Sequence, residues 1–300
     1  MKKYTIYQID SFTRKKFKGN PAGVVVNADG LSEKQMLMIA RELNNSETAF
    51  IFNQKDKSCD GEIRYFTPTV EVPICGHATI AAMYAKAAEE HIENAIFNIK
   101  TKVGILPFEI QKVENDIKVW MTQGKIEIKD FLSQEYQNEL FDNLGITSKD
   151  MHPDCPIQIA STGHSKVMIG IKSRRKLNAL TPNFAGLANL SQHIKCNGYF
   201  VFTVNEEGSK ILTHGRMFAP SIGINEDPVT GNANGPLGAY LVYNNLVNTD
   251  TEIFNFFGTQ GEAIGRDGRV EVSVHIENKQ PVLVRIAGEA VIVFKTTIKI

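Results

Sequence analysis

The chain carries one pattern twice, and that duplication restricts its fold more than any other feature. Arg64-Tyr65-Phe66-Thr67-Pro68 precedes Cys75-Gly76-His77-Ala78-Thr79-Ile80-Ala81-Ala82, and Arg216-Met217-Phe218-Ala219-Pro220 precedes Thr230-Gly231-Asn232-Ala233-Asn234-Gly235-Pro236-Leu237-Gly238. Each copy reads as a strand ending in Phe-x-Pro, then a loop, then a Gly-x-Ala step into a helix of small residues. The second loop is the longer and carries Glu226-Asp227. Two similar halves are expected. Small residues at a helix start let a backbone or a ligand come close, and the unpaired N–H groups there attract an anion. Two such helix ends facing each other across an interdomain cleft would hold a small carboxylate.

Three hundred residues accommodate two domains of about 150 residues each. A polar stretch at 124–130 and a helical pattern at 132–144 read as the crossover, which gives an N-terminal domain over 1–123 and a C-terminal domain over 124–300, with the last strand available to complete the first. Lys plus Arg (33) balances Asp plus Glu (33), and no basic stripe with interleaved aromatics occurs. No large field draws the chain to nucleic acid or to an acidic membrane, so the expected partner is a small molecule. Met1 to Asp10 alternates like a strand and lacks a continuous apolar run, and no segment approaches the ~18 apolar residues of a membrane span. The expectation is a soluble cytoplasmic protein. Cys59, Cys75, Cys155 and Cys196 are far apart, without CxxC or metal-type Cys/His spacing, which fits reduced thiols better than disulfides or a zinc site.

Tyr4–Asp10 and Ala22–Asn27 alternate as strands, with a turn at Lys18-Gly19-Asn20-Pro21. Ser32 with Gln35 forms a capping box, and Met36, Ile39, Ala40 and Leu43 recur at helical spacing, so 32–44 is predicted helical. Further strands are predicted at 48–52, 62–66, 95–100, 103–112 and 116–122, with a turn at Glu114-Asn115-Asp116, and a small-residue helix from Ala78 to about Glu89. The second half repeats the order: strands at 156–161 and 165–172, a helix at 183–192, strands at 198–205 and 210–218, and a helix from Ala233 to Asn245. Strands at 253–257, 269–276, 281–287 and 290–298 close the chain. Hairpin-length connections outnumber helical crossovers. The expected class is α+β, each half a strongly curved mixed sheet around a central helix.

Three places could carry chemistry. Glu47 follows a predicted helix at the mouth of a strand, where catalytic carboxylates are displayed, although a lone Glu in a polar loop also reads as a solvated turn. Cys75 stands one position before a predicted helix N-terminus, which favours a thiolate, while a free Cys is equally at home as a small buried hydrophobe. His77 can bind substrate or cap the helix. Asp227, before Pro228, can cap a turn or point into a cleft. Ser173-Arg174-Arg175-Lys176 matches SxxK formally but reads as a charged surface turn. There is no GxGxxG after a strand, GxxxxGK[ST], HExxH or GxSxG.

In order along the chain, Asp10-Ser11-Phe12, Gly19-Asn20-Pro21-Ala22-Gly23-Val24, Ser46-Glu47-Thr48-Ala49-Phe50, Phe66-Thr67-Pro68 and Cys75-Gly76-His77-Ala78-Thr79 are followed by Ser161-Thr162-Gly163, Arg216-Met217-Phe218-Ala219-Pro220, Glu226-Asp227-Pro228-Val229-Thr230-Gly231 and Gln260-Gly261. Together these resemble the phenazine-biosynthesis PhzF-like family, which shares the diaminopimelate epimerase fold. The resemblance implies two pseudo-symmetric domains, usually a homodimer, and an isomerase without cofactor or metal. It gives Glu47 the acid/base role and His77 and Asp227 supporting catalytic roles. Asn20, Cys75, Gly76, Thr230, Gly231 and Asn232 become the implied contacts of a small carboxylate-bearing substrate. Asn232 stands where the family often has Ser.

The two catalytic cysteines of the related epimerases would fall at Cys75 and Thr230. Two-base racemisation needs an acid or base on each face of the carbon, and a threonine hydroxyl serves poorly. The leading expectation is therefore a one-carboxylate proton shift by Glu47. The alternatives are a Cys75-dependent amino-acid epimerase or dehydratase, and a non-catalytic ligand-binding protein on the same fold.

Overall fold

The computed structural model describes residues 1–53, 58–114, 116–205 and 209–300. The chain divides into two units, Met1–Thr122 with Ala287–Ile300, and Gln123–Ile286. The final residues, Ala287–Ile300, join the first unit.

The first unit contains β1 (Lys3–Ser11), β2 (Asn20–Val25), α1 (Glu33–Leu43), β3 (Thr48–Phe52), β4 (Gly61–Phe66), β5 (Glu71–Val72), α2 (Gly76–Glu90), β6 (Ala95–Thr101), β7 (Gly104–Val113) and β8 (Asp116–Thr122). The second contains β9 (Glu127–Phe131), α3 (Gln134–Leu144), β10 (Gln158–Ser161), β11 (Lys166–Gly170), α4 (Arg174–Asn178), α5 (Phe184–Ile194), β12 (Tyr199–Val204), β13 (Thr213–Ala219), β14 (Ile224–Asp227), α6 (Gly231–Tyr243), β15 (Ile253–Gln260) and β16 (Gly268–Glu277). The boundary between the units falls within β17 (Gln280–Gly288), and β18 (Ala290–Lys299) returns to the first unit.

Sheet topology repeats the sequence duplication. In the first unit β2 pairs parallel to β3, β3 antiparallel to β4, β4 parallel to β6 and β6 antiparallel to β7. In the second, β11, β12, β13, β15 and β16 follow the same parallel, antiparallel, parallel, antiparallel order. β1 lies between β18 and β2, antiparallel to both.

Helix α2 is apolar on nearly every side, from Ala78 and Ile80 through Met83, Ala85 and Ala87, and a helix with that composition belongs in a core rather than on a surface. It packs against β1, β2, β3, β7, β8 and β18, so the sheet wraps it. α6 is its counterpart, packed on β10, β11 and β16. Gly238 permits that approach, because a Cβ there would fall 2.8 Å from side-chain carbons of both Val272 and Val274. α1 is amphipathic and covers the other sheet face with Met36, Ile39 and Ala40 against Tyr4, Ile6, Phe50 and Phe66. Its Ser32/Gln35 capping box is formed, a device worth about 1 kcal/mol. In the second unit α3 and α5 cover the corresponding face through Leu140, Leu144, Leu187 and Leu190.

The structure departs from the sequence expectation at several points. Residues 127–131, expected as part of a polar crossover, form β9, an almost fully exposed strand that pairs antiparallel with β10. An exposed strand has no buried face, so it shows no alternation. The charged run at Ser173 is a capped short helix, with Ser173 Oγ accepting from Lys176 N. Asn20 and Pro21 open β2 instead of closing the turn, and α2 and α6 each begin at the glycine two residues ahead of the expected Ala. Asp227 ends β14, where a loop was expected. Asn115 of the expected turn at 114–116 lies outside the described residues.

Candidate active site

Glu47 is placed by backbone geometry on both sides. α1 stops at Asn44, left-handed at φ 52° with its N–H on Ala40 O, and β3 starts at Thr48. Between them Glu47 O accepts from Gly23 N at 3.3 Å, which ties the loop to β2. Gly23 leaves room for this closure, since a Cβ would sit 2.6 Å from Leu43 Cδ1 and 2.8 Å from Thr48 Oγ1.

The Glu47 carboxylate lies 3.4 Å from His77 Nε2, with its side chain only 14% exposed. Ser46 Oγ is 3.3 Å from the same nitrogen, and Cys75 Sγ is 3.4 Å from His77 Nδ1. His77 and Cys75 are both buried. The start of α2 is anchored from two strands. Ser11 Oγ of β1 donates to His77 O at 2.8 Å, and Thr79 N and Oγ1 both donate to Cys75 O while Tyr65 OH of β4 pairs with Thr79 Oγ1 at 2.7 Å. Cys75 is the N-cap but makes no side-chain cap, and no acidic residue occupies the first turn. The partial positive charge of that helix end is therefore left for an anion, with Glu47 beside it. Asn20, buried at the start of β2, stands opposite Ser11 in the ladder.

In the second unit Asp227 and Thr230 meet. The Thr230 hydroxyl donates to the Asp227 carboxylate, and Thr230 occupies the same N-cap position on α6 that Cys75 occupies on α2. Gln260, given no role in the sequence reading, braces the pair: its Nε2 donates to Asp227 O (2.7 Å) and contacts Thr230 Oγ1 (3.0 Å), and its Oε1 accepts from Thr230 N (3.1 Å). Gly231 and Asn232 follow in the first turn of α6, Gly231 buried and Asn232 partly so.

Lys166 was also missed. It is buried, its Nζ donates to Ser165 O at 3.1 Å, and its stem lies against Gly198, where a Cβ would fall 2.3 Å from Lys166 Cδ. Burial lowers its pKa, and the negative charge available at Cys196 and Asp227 opposes that shift. A lysine opening the apolar run Val167-Met168-Ile169 was the signal that could have found it, because unpaired lysines are almost never fully buried.

All four cysteines are free and buried. Among the described residues no helix is long and apolar enough to cross a membrane.

Residues 9–296 match the model of the family described as phenazine biosynthesis-like protein. An uncharacterized isomerase of Clostridium acetobutylicum is 59% identical over 296 residues, covering 99% of this chain and 98% of that one. The trans-2,3-dihydro-3-hydroxyanthranilate isomerase of Pseudomonas chlororaphis is 31% identical over 292 residues, with 97% of each chain covered. The crystal structure of a PhzF-family phenazine biosynthesis protein from Bacillus anthracis superposes with a TM-score of 0.89 at 33% identity, over 100% of both chains. With its duplicated sheet topology and with named isomerases related along its whole length, the chain belongs to the phenazine biosynthesis-like PhzF family of isomerases.

Proposed function

We propose that the protein moves a proton between two carbon positions of a small carboxylate-bearing metabolite, with Glu47 as the single acid/base group. The observation that carries this reading is the Glu47 carboxylate held beside His77 Nε2 at the uncapped N-terminus of α2. The carboxylate takes a proton from a C–H next to the substrate's conjugated or carboxylate system. The electron pair moves into that system, and the negative charge is stabilised by the N–H groups of the first turn of α2. Protonated Glu47 then returns the proton at a second carbon, and the carboxylate is restored. His77 orients the substrate through Nε2, on the side shared with Ser46 and Glu47. The anthranilate-type substrate named for the Pseudomonas chlororaphis relative supports a carboxylate-bearing class.

A second reading, an epimerase using the Cys75 thiolate, has one observation in its favour, the 3.4 Å approach of Cys75 Sγ to His77 Nδ1. The second catalytic cysteine of the related epimerases is replaced by Thr230, a hydroxyl that serves poorly as an acid or base, so the one-carboxylate shift is the better supported. A purely ligand-binding role is set aside by the isomerases to which the chain is related.

Turnover of an active substrate in D₂O tests the choice. A one-carboxylate shift returns part of the original proton, so the receiving carbon carries less than full deuterium and labelling stops in Glu47→Gln. Full labelling with inversion, retained in Glu47→Gln and lost in Cys75→Ser, would overturn the proposal.

A further inference from the structure

The His77 ring has a partner on each edge. Cys75 Sγ stands 3.4 Å from Nδ1, and on the opposite edge Nε2 faces Ser46 Oγ at 3.3 Å and the Glu47 carboxylate at 3.4 Å. A neutral imidazole carries one ring proton and one acceptor nitrogen, so these neighbours decide which nitrogen plays which part. An ionised carboxylate accepts only, and its charge favours an N–H dipole over a lone pair beside it. Ser46 does not oppose that choice, because a hydroxyl can accept as well as donate. The proton therefore belongs on Nε2. Nδ1 is left as the acceptor, and among the described residues its hydrogen-bond partner is the Cys75 sulfur, which makes the thiol the donor.

The start of α2 supports the same assignment. Cys75 is the N-cap, a position from which a side chain ordinarily accepts from the N–H groups of the first turn, yet it makes no such bond. Its sulfur is turned to His77 instead. Both residues are buried, and their backbones are held by Thr79 on Cys75 O and Ser11 on His77 O. A buried Nδ1 that lost its donor would be destabilised, so the thiol holds the ring in place as well as setting its proton.

We propose that Cys75 is a positioning residue: its S–H donates to His77 Nδ1 and locks the ring as the Nε2–H tautomer, so that His77 presents a hydrogen-bond donor to the substrate on the edge shared with Glu47. The substrate group that fits this donor is an acceptor oxygen, of a carboxylate or a carbonyl, beside the C–H that Glu47 deprotonates. A sulfur committed as a donor is not a base, which separates Cys75 from the epimerase cysteine whose place it holds. The tautomer claim stands on the contacts around the ring. The substrate claim rests also on the reading of Glu47 as the base.

The test uses the full chain without substrate, labelled with ¹⁵N-histidine, at about pH 8, above the ordinary imidazole pKa of ~6.5. The chain has seven histidines, so His77→Gln identifies the His77 signals by their loss. Long-range ¹H–¹⁵N correlation should show Nε2 protonated and Nδ1 unprotonated and hydrogen-bonded. Cys75→Ala should shift the Nδ1 resonance toward that of an unbonded ring nitrogen, and Cys75→Ser, which restores an O–H donor, should reverse most of that shift. A proton on Nδ1, or on both nitrogens, overturns the proposal, because the sulfur would then be accepting. So does a Cys75→Ala spectrum identical to the parent's, or a shift that Cys75→Ser leaves in full. Turnover retained in Glu47→Gln separately overturns the base assignment and leaves the tautomer, which is read without substrate.

Discussion

The Arg216 guanidinium clasps the Glu226 carboxylate through two parallel hydrogen bonds, Nε to Oε1 at 2.9 Å and Nη2 to Oε2 at 2.7 Å. Its remaining nitrogen donates to Leu177 O and Leu180 O, and the plane lies 5.0 Å from the Phe218 ring centre. The first unit repeats the device. Arg64 bonds both oxygens of Glu71 at 2.7 Å and stands 5.2 Å from the Phe66 ring centre. In each unit the pair ties the Arg-x-Phe strand to the short strand that leads into the small-residue helix, and in the second unit the next residue is Asp227. The duplicated Arg-x-Phe motif is thus a brace for the segment that leads into the small-residue helix.

Arg216→Leu should destabilise the protein by about 3–5 kcal/mol, because it strands the Glu226 charge in a buried setting. Adding Glu226→Leu should recover part of that loss. Arg64→Leu should cost less, since Arg64 is 24% exposed and Glu71 retains Lys102. Urea denaturation of the three variants and the parent protein checks the order, and an Arg216→Leu loss no larger than that of Arg64→Leu contradicts it.

Glu47→Gln should lower kcat by about a thousandfold, within the range of a lost general acid/base, with KM little changed because size and hydrogen-bonding capacity are kept. Circular dichroism controls for folding. Cys75→Ser should change kcat/KM by less than about tenfold, equivalent to ~1.4 kcal/mol.

Gln260→Leu removes the partners of the Thr230 N–H and the Asp227 carbonyl together. A stability loss of about 1–3 kcal/mol is expected from the loss of these two buried hydrogen bonds. A rise in KM larger than the fall in kcat would accompany a displaced Asp227–Thr230 pair. Stability and KM both unchanged would remove Gln260 from this positioning role.

His214 gives a pH dependence. Asn205 Nδ2 donates to Ile211 O and faces His214 Nε2 at 3.1 Å, so Nε2 accepts and Nδ1–H donates to Thr259 Oγ1 at 2.6 Å, the arrangement of a neutral ring. Burial lowers its pKa and the Arg174 charge adds to the effect, against Glu262. Below about pH 6.5 the unfolded chain takes up a proton that the folded ring does not, so stability falls as pH falls, by at most ~1.4 kcal/mol per pH unit until the folded ring itself titrates. Urea midpoints from about pH 7.5 to pH 5.5 should decline less steeply in His214→Gln than in the parent protein. Equal slopes would remove His214 as a contributor.

The sequence by itself determined the elements whose signals are local: the capping box of α1, the small-residue helices α2 and α6, and the two copies of the strand–loop–helix pattern. Such signals are written in adjacent residues, through periodicity and caps. The family resemblance then singled out Glu47, His77 and Asp227. Tertiary structure decided which of these residues meet. Glu47 reaches His77 because β2 and β3 pair in parallel through the Cβ-free Gly23, which sets the α1–β3 loop against the start of α2. Gln260 reaches Asp227 only because β15 runs beside β13. The Lys166 stem packs on Gly198, and β9 forms through its ladder to β10. Contacts between residues distant in the chain follow from sheet register and from which glycines permit close approach, and neither leaves a periodic trace in the residues that eventually touch.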